Sequence, residues 1–287
     1  MQAGGESSDR PSSAQKCWWN FTPAKPWLET DADLVVNLQS RALSSVGMNK
    51  QGADSLRILQ YNILAESYAP VSWFPHVAPP VLSWQSRSWA LLRHIVAYDA
   101  DVICLQEVDH FADFFQPELT SLGYTGTADC PHYRRVTSAV RDLCVCVCSG
   151  MFKKRSAGKP DGCAIFWKSS KFMRRSAFSM EYNDLARKYQ NPVFSTNNVA
   201  CGVLLAPTAN ALAGHSMKAS SEAASAALSR HFWIVNTHVY WDPKVPFVKL
   251  AQTIMLKERL HELTKDSHLP VILCGDFNAT PNSLPYQ

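Results

Sequence analysis

Val271-Ile272-Leu273-Cys274-Gly275-Asp276-Phe277-Asn278 decides how this chain is read. An apolar run ends in Gly-Asp-Phe-Asn, and Pro281 follows shortly after. The pattern predicts a buried strand that hands an Asp and an Asn to a loop at its C-terminal end. A carboxylate accepts hydrogen bonds and an amide both donates and accepts, so the pair can hold a water or a metal-bound phosphate oxygen. By itself the tetrapeptide fits ordinary turn chemistry better, because Asp and Asn both close turns through their side chains.

Three upstream segments repeat the pattern. Leu59-Gln60-Tyr61-Asn62 ends a strand-like run that starts at Leu56. Val102-Ile103-Cys104-Leu105-Gln106-Glu107 ends another, and Trp233-Ile234-Val235-Asn236-Thr237-His238 a third. Each is an apolar strand finishing in a residue that can meet metal or phosphate. Four strand ends delivering Asn62, Glu107, His238 and Asp276 with Asn278 predict one shared site.

Between these segments the periodicity alternates. Leu91, Leu92, Ile95 and Val96 mark one face of a helix leading into the Val102 strand. Phe111, Phe114, Phe115 and Leu119 suggest a second helix, and Val248, Ala251, Met255, Leu260 and Leu263 a third. Cys163–Trp167 and Val199–Ala206 read as further strands. This is an α/β pattern. Residues 1–55, rich in Ser, Gly, Ala and Asp with isolated Trp18, Trp19 and Trp27, read as a tail, and residues 56–287 as one domain. Pro207 to Arg230 is Ala/Ser-rich and reads as a surface loop. In Leu143-Cys144-Val145-Cys146-Val147-Cys148, alternate-residue cysteines suit one strand face better than the usual zinc spacing. A translated dinucleotide repeat or an unspliced intron would give the same run.

Composition bounds the partners. The 287 residues are 46% apolar, enough for a substantial core, with a net charge of +4. A pI near 8.5 falls short of a strongly basic nucleic-acid binder, so any such contact is expected in a local groove. No apolar run is long enough to span a membrane, and Met1 to Lys16 lacks the apolar core of a secretory signal. Nine cysteines, an odd number, point to a reducing compartment, and the expected location is cytoplasmic, with the nucleus and the mitochondrion as alternatives.

Gln60-Tyr61-Asn62, Leu105-Gln106-Glu107, Asn236-Thr237-His238 and Gly275-Asp276-Phe277-Asn278 together resemble the endonuclease/exonuclease/phosphatase superfamily. The nearest branch in pattern is that of the Ccr–Not deadenylases, nocturnin and the Angel proteins. Tyr61 to Tyr68, Asp161 to Phe166, Thr237 to Pro243 and Lys249-Leu250-Ala251-Gln252 are similar to further motifs of that branch, so the resemblance runs from about Arg57 to the last residue.

The resemblance implies a DNase I-like sandwich of two packed β-sheets flanked by helices. It implies Mg²⁺, or Mn²⁺, as cofactor. Glu107 would be a metal ligand. Asp276 and Asn278 would position the attacking water or a second metal. His238 would donate to a non-bridging phosphate oxygen and stabilise charge in the transition state. Asn62 would orient Glu107 or contact phosphate. Asn198 would contact phosphate or close a turn, and Trp241 and Pro243 would flank a base. Trp84 and Arg87, a Trp-x-x-Arg at a helix start, carry a structural role.

The implied activity is a Mg²⁺-dependent 3′-exoribonuclease of the deadenylase type, releasing adenosine monophosphate from poly(A). A nucleotide phosphatase or 2′,5′-phosphodiesterase of the same superfamily is the enzymatic alternative. A catalytically dead binding protein is the non-enzymatic one. The family continues past Gly-Asp-Phe-Asn with a motif carrying an Asp and a Ser-Asp-His motif, and neither precedes Gln287. The expectation is a sandwich lacking its C-terminal strands, nearly inactive as written.

Overall fold

The computed structural model describes residues 55–124, 151–209, 211 and 231–285. The tail, the Leu143–Cys148 run and most of the Pro207–Arg230 loop lie outside the described residues.

In chain order the elements are β1 (Ile58–Asn62), α1 (Pro79–Leu82), α2 (Trp84–Ala97), β2 (Val102–Gln106), α3 (Gln116–Ser121), β3 (Met151–Lys154), β4 (Gly162–Trp167), β5 (Phe172–Glu181), α4 (Asp184–Tyr189), β6 (Val199–Pro207), β7 (Phe232–His238), α5 (Pro246–Thr264) and β8 (Val271–Asp276). They build two four-stranded sheets, ordered β1-β2-β4-β3 and β5-β6-β7-β8. Each sheet holds one parallel pair, β1 with β2 and β7 with β8, and its other pairs are antiparallel. A parallel pair needs a long crossover, which α2 and α5 supply.

Local chemistry explains both helices. Ser83 caps α2 by accepting from the Ser86 amide. Leu91, Leu92 and Ile95 then bury against Ile103 and Leu105 on the outer face of β2. Pro246 starts α5, where its missing N–H costs nothing. The inner faces meet in a core of Val102 and Cys104 from one sheet and Val203, Leu205 and Ile234 from the other. Every residue of β2 is buried, as a central strand covered on both sides requires. The four described cysteines, Cys104, Cys163, Cys201 and Cys274, are free thiols. No helix among the described residues is long and apolar enough to cross a membrane.

A chain of amides stitches the sheets together. Gln60 Nε2 donates to Gln106 Oε1 at 2.8 Å, and Gln106 Nε2 donates to Asn236 Oδ1 at 2.7 Å. Asn236 Nδ2 donates in turn to the carbonyls of Leu105 and Ala164, at 2.8 and 2.9 Å. Gln106 and Asn236 are fully buried, so each needs these partners.

Three elements differ from the sequence reading. β8 is a half-buried edge strand among the described residues, not a buried one, with Leu273 exposed. Phe111–Phe115 makes a π-helical turn that continues without a break into α3, so the helix read over Phe111 to Leu119 is present but opens on a π turn. β1 begins at Ile58, two residues after Leu56.

Replacing Asn236 by Leu strands the Gln106 amide in the core. The expected loss is about 2–3 kcal/mol in urea unfolding; a loss below about 0.5 kcal/mol would show that the amide chain does not hold the sheets. Gly275→Ala drives a Cβ into the Thr237 carbonyl oxygen at a φ of +152°. A loss of about 2 kcal/mol is expected in the same assay, and an unchanged unfolding midpoint would refute the close approach.

Candidate active site

Strands that run parallel finish on the same side. Register pairs Asn62 with Gln106 at the ends of β1 and β2, and His238 with Asp276 at the ends of β7 and β8. Because the sheets pack face to face, all four ends open at one edge of the sandwich.

There the Asn62 side chain is the hub. Its Nδ2 donates to Glu107 Oε1 at 2.8 Å and to Asp276 Oδ2 at 3.0 Å, one carboxylate from each sheet. Its Oδ1 accepts from the Leu64 amide at 3.0 Å. Glu107 Oε2 accepts from the Ala65 amide at 3.1 Å, and Asp276 Oδ1 from the Asn278 amide at 2.9 Å. Asn278 Nδ2 lies 3.2 Å from His238 Nε2 and donates to the Val239 carbonyl at 3.0 Å. His238 Nε2 stands 3.9 Å from Asp276 Oδ2, and its Nδ1 is buried without a hydrogen-bond partner among the described residues. Leu64, Glu107 and Asn278 all hold positive φ, at +57°, +59° and +47°. Such backbone is uncommon for side-chain-bearing residues and costs stability wherever it occurs.

The surrounding shell fixes these turns. Arg87 Nη2 donates to the carbonyls of Ile63 and Leu64. Burial pulls the Arg87 guanidinium below its usual range, and the nearby Asp109 charge opposes the shift. Trp84 stacks on His110 with 4.0 Å between ring centroids. Lys249 Nζ, on α5, donates to the Asn278 carbonyl at 2.8 Å. Gln252, one turn further, holds Thr196 Oγ1 at 2.7 Å and the Tyr240 amide at 2.9 Å. Tyr68 donates to Asp161 Oδ1 at 2.8 Å, and Arg155 donates to the Thr196 and Asn197 carbonyls. Burial, followed by the Asp161 carboxylate, pushes the Tyr68 phenol well above its ordinary value, so it stays a donor.

The donor set fits a hard divalent cation. Two carboxylates converge, and among the described residues neither has a Lys or Arg ion-pair partner. Among those residues no three acidic, His or Cys side chains gather as a closed cage. One or two carboxylates completed by water and substrate oxygens suit an ion of the magnesium type.

Six of the residues singled out from sequence, Asn62, Glu107, Asn198, His238, Asp276 and Asn278, thus fall into one hydrogen-bonded group. Asn198 sits beneath it. The residue is 2% exposed, and its Nδ2 donates to the His238 carbonyl at 2.9 Å, tying the start of β6 to the end of β7. Trp241 and Pro243 stand outside the group, on the exposed loop after β7. The sequence reading missed the linking roles of Gln60, Gln106 and Asn236. The signal was present, since a polar residue inside an otherwise apolar strand needs a buried partner.

The sequence model of the endonuclease/exonuclease/phosphatase family matches residues 59–287. The CCR4-Not complex 3′-5′-exoribonuclease subunit Ccr4 of Yarrowia lipolytica is 29% identical over 269 residues, covering 82% of this chain and 34% of that protein. Among solved structures, the human nocturnin catalytic domain with bound sulfate superposes with a TM-score of 0.56 at 26% identity, over 80% of this chain and 66% of that one. ANGEL2, a 2′,3′-cyclic phosphatase solved with adenosine-2′,3′-vanadate, superposes with a TM-score of 0.57 at 28% identity, over 80% of this chain and 56% of that one. The chain spans about a third of the length of the Ccr4 protein it matches. The matched span takes in every residue of the site, and the chain belongs to the endonuclease/exonuclease/phosphatase family.

Proposed function

We propose that the protein is a Mg²⁺-dependent phosphodiester hydrolase that shortens RNA from the 3′ end, with poly(A) as substrate and adenosine monophosphate as product. The observation that carries the reading is the pair of carboxylates, Glu107 and Asp276, held on one Asn62 amide with His238 and Asn278 beside them. The likeness to a protein named as a 3′-5′-exoribonuclease supports the choice of reaction.

Glu107 and Asp276 would hold the ion, with Asn62 fixing their separation. Bound there, Mg²⁺ would neutralise phosphate charge and assist the departing oxygen. Asp276 and Asn278 flank the position for an attacking water. His238 Nε2 faces the Asn278 amide nitrogen and therefore accepts in this arrangement. To donate to a phosphate oxygen it must carry the proton on Nε2, and Asn278 must turn its amide to release it. Trp241, on the adjoining loop and largely exposed, offers a flat face to a terminal base.

Likeness to ANGEL2 favours a second reading, in which a small cyclic or phosphorylated nucleotide is the substrate. A 5′-labelled oligoadenylate incubated with Mg²⁺ separates the two. A ladder of products shortened from the 3′ end, with adenosine monophosphate released, supports the exonuclease. Hydrolysis of a 2′,3′-cyclic nucleotide without a ladder supports the phosphatase. Mg²⁺ and RNA binding with neither product makes the chain a binding protein.

Two substitutions divide the labour. Glu107→Gln is expected to abolish the rise in melting temperature that Mg²⁺ gives the unsubstituted protein, and to lower cleavage by about a hundredfold or more. His238→Ala should keep that rise yet lose about 10²–10³-fold in rate. A Glu107→Gln protein still stabilised by Mg²⁺ would remove Glu107 from the ligand set.

A further inference from the structure

We infer that Cys104 and Cys274 are an oxidation site, a thiol pair that a peroxide converts to a disulfide bridging the two sheets directly beneath the carboxylates. The bridge stands on the geometry of the pair alone. Its consequence for metal binding rests on the function proposed above.

The two cysteines face each other across the sandwich. Side chains alternate along a strand, so Val102, Cys104 and Gln106 of β2 share one face, as do Ile272, Cys274 and Asp276 of β8. Both faces turn inward. Val102, Cys104, Ile272 and Cys274 all pack in the core between the sheets. Gln106 reaches across to Asn236, and Asn236 is the register partner of Cys274. Cα atoms of β2 and β8 come within 8 Å of each other, and the Cys104 and Cys274 side chains interact directly. A disulfide spans Cα atoms about 4.4–6.8 Å apart, so the two strands lie a small shift from bridging distance.

Two further thiols share this core, and their partners set them apart. Cys163 Sγ donates to the Val199 carbonyl at 3.9 Å, and Cys201 Sγ to the Cys163 carbonyl at 3.6 Å. Those sulfurs are committed to the backbone, while Cys104 and Cys274 have each other. Cys274 is half-buried where the other three are buried, so a small oxidant meets it first.

The step balances with a peroxide as the oxidant. Hydrogen peroxide oxidises the Cys274 thiol to a sulfenic acid and leaves one water. The Cys104 sulfur attacks the Cys274 sulfur, the S–O bond breaks, and the hydroxyl departs with the Cys104 proton as a second water. Two electrons and two protons pass from the pair to the peroxide. A dithiol reverses the bridge by thiol–disulfide exchange.

The bridge acts on the site through the strands. Cys104 lies three residues before Glu107, and Cys274 two before Asp276. Sulfurs in non-bonded contact stand about 4 Å apart, and bonded ones about 2 Å. Closing the bridge therefore draws β2 and β8 together by up to about 2 Å. A working site tolerates displacements of about 0.5 Å, so oxidation should displace the two carboxylates enough to weaken the ion.

The test exposes the folded full chain to hydrogen peroxide, alkylates the remaining thiols after denaturation, and maps unreduced peptides by mass spectrometry. A peptide pair joined through Cys104 and Cys274, and lost on dithiothreitol treatment, is the expected product. In Cys274→Ala, Cys104 should stay open to alkylation after the same treatment. Three results overturn the bridge: Cys274 carried to sulfinic acid with Cys104 still free, either cysteine joined to a different one, or both thiols unchanged. The second readout is the melting temperature with and without Mg²⁺. Oxidation should remove most of the rise that Mg²⁺ gives the reduced protein, and dithiothreitol should restore it. Cys274→Ala should keep the rise through the peroxide treatment. An undiminished rise in the bridged protein overturns the coupling to the site. A reduced protein that shows no rise overturns the metal reading and the coupling with it, while the peptide map still decides the bridge.

Discussion

One amide nitrogen, that of Asn62, draws together two carboxylates that belong to different sheets. Like charges a few ångströms apart repel by about 1 kcal/mol in water and about 4 kcal/mol near a protein surface. A hydrogen bond to a charged group returns about 1.5–3 kcal/mol. The amide makes two such bonds, which together are of the same order as the repulsion, so the approach lasts only while the packing of the two sheets keeps both carboxylates on the amide. Everything that fixes the relative position of β1, β2 and β8 serves this one approach. A cation between the carboxylates would turn the repulsion into attraction.

The Gln60–Gln106–Asn236 chain sets that relative position. It runs directly under the site, because Gln106 precedes Glu107 and Asn236 lies two residues before His238. Side chains alternate along a strand, so a slip of one residue in β2 or β7 would turn these amides out of the interface. The same slip would displace Glu107 or His238. Buried amides are costly when unpaired, which makes the wrong register much worse than the right one. The core of Val102, Cys104, Val203 and Ile234 supplies bulk stability but is far less particular about register.

How much of this was legible follows from where the information lies. β2 could be read because a strand buried on both faces is a continuous apolar run, and its ending in Glu107 was visible for the same reason. The convergence of four strand ends followed from their shared pattern. β5 could not be read. Phe172 to Glu181 carries Arg174, Arg175 and Ser176 and is largely exposed, so neither periodicity nor composition separates it from a loop. The burial of Asn198, Lys249 and Gln252 was equally hidden, since each is satisfied by a partner distant in sequence. A polar residue shows its own needs in the sequence but not where they are met.

Two cations packed against the turns of the site are committed to backbone carbonyls. Arg87 feels the Glu107 charge, yet its guanidinium donates to the carbonyls of Ile63 and Leu64. Lys249, 7% exposed, donates to the carbonyl of Asn278. Both hold turns that contain left-handed residues, Leu64 in one and Asn278 in the other. Each such residue costs on the order of 1 kcal/mol or more, so turns of this kind last only when their carbonyls are held. Holding the turns and neutralising the carboxylates are competing uses of the same two cations. The fold applies them to the turns, which fixes the directions of Glu107 and Asp276 and leaves both carboxylates without a Lys or Arg partner among the described residues. Moving either side chain onto its carboxylate would quiet the repulsion at Asn62 and, in the same step, loosen the turn that aims the acid.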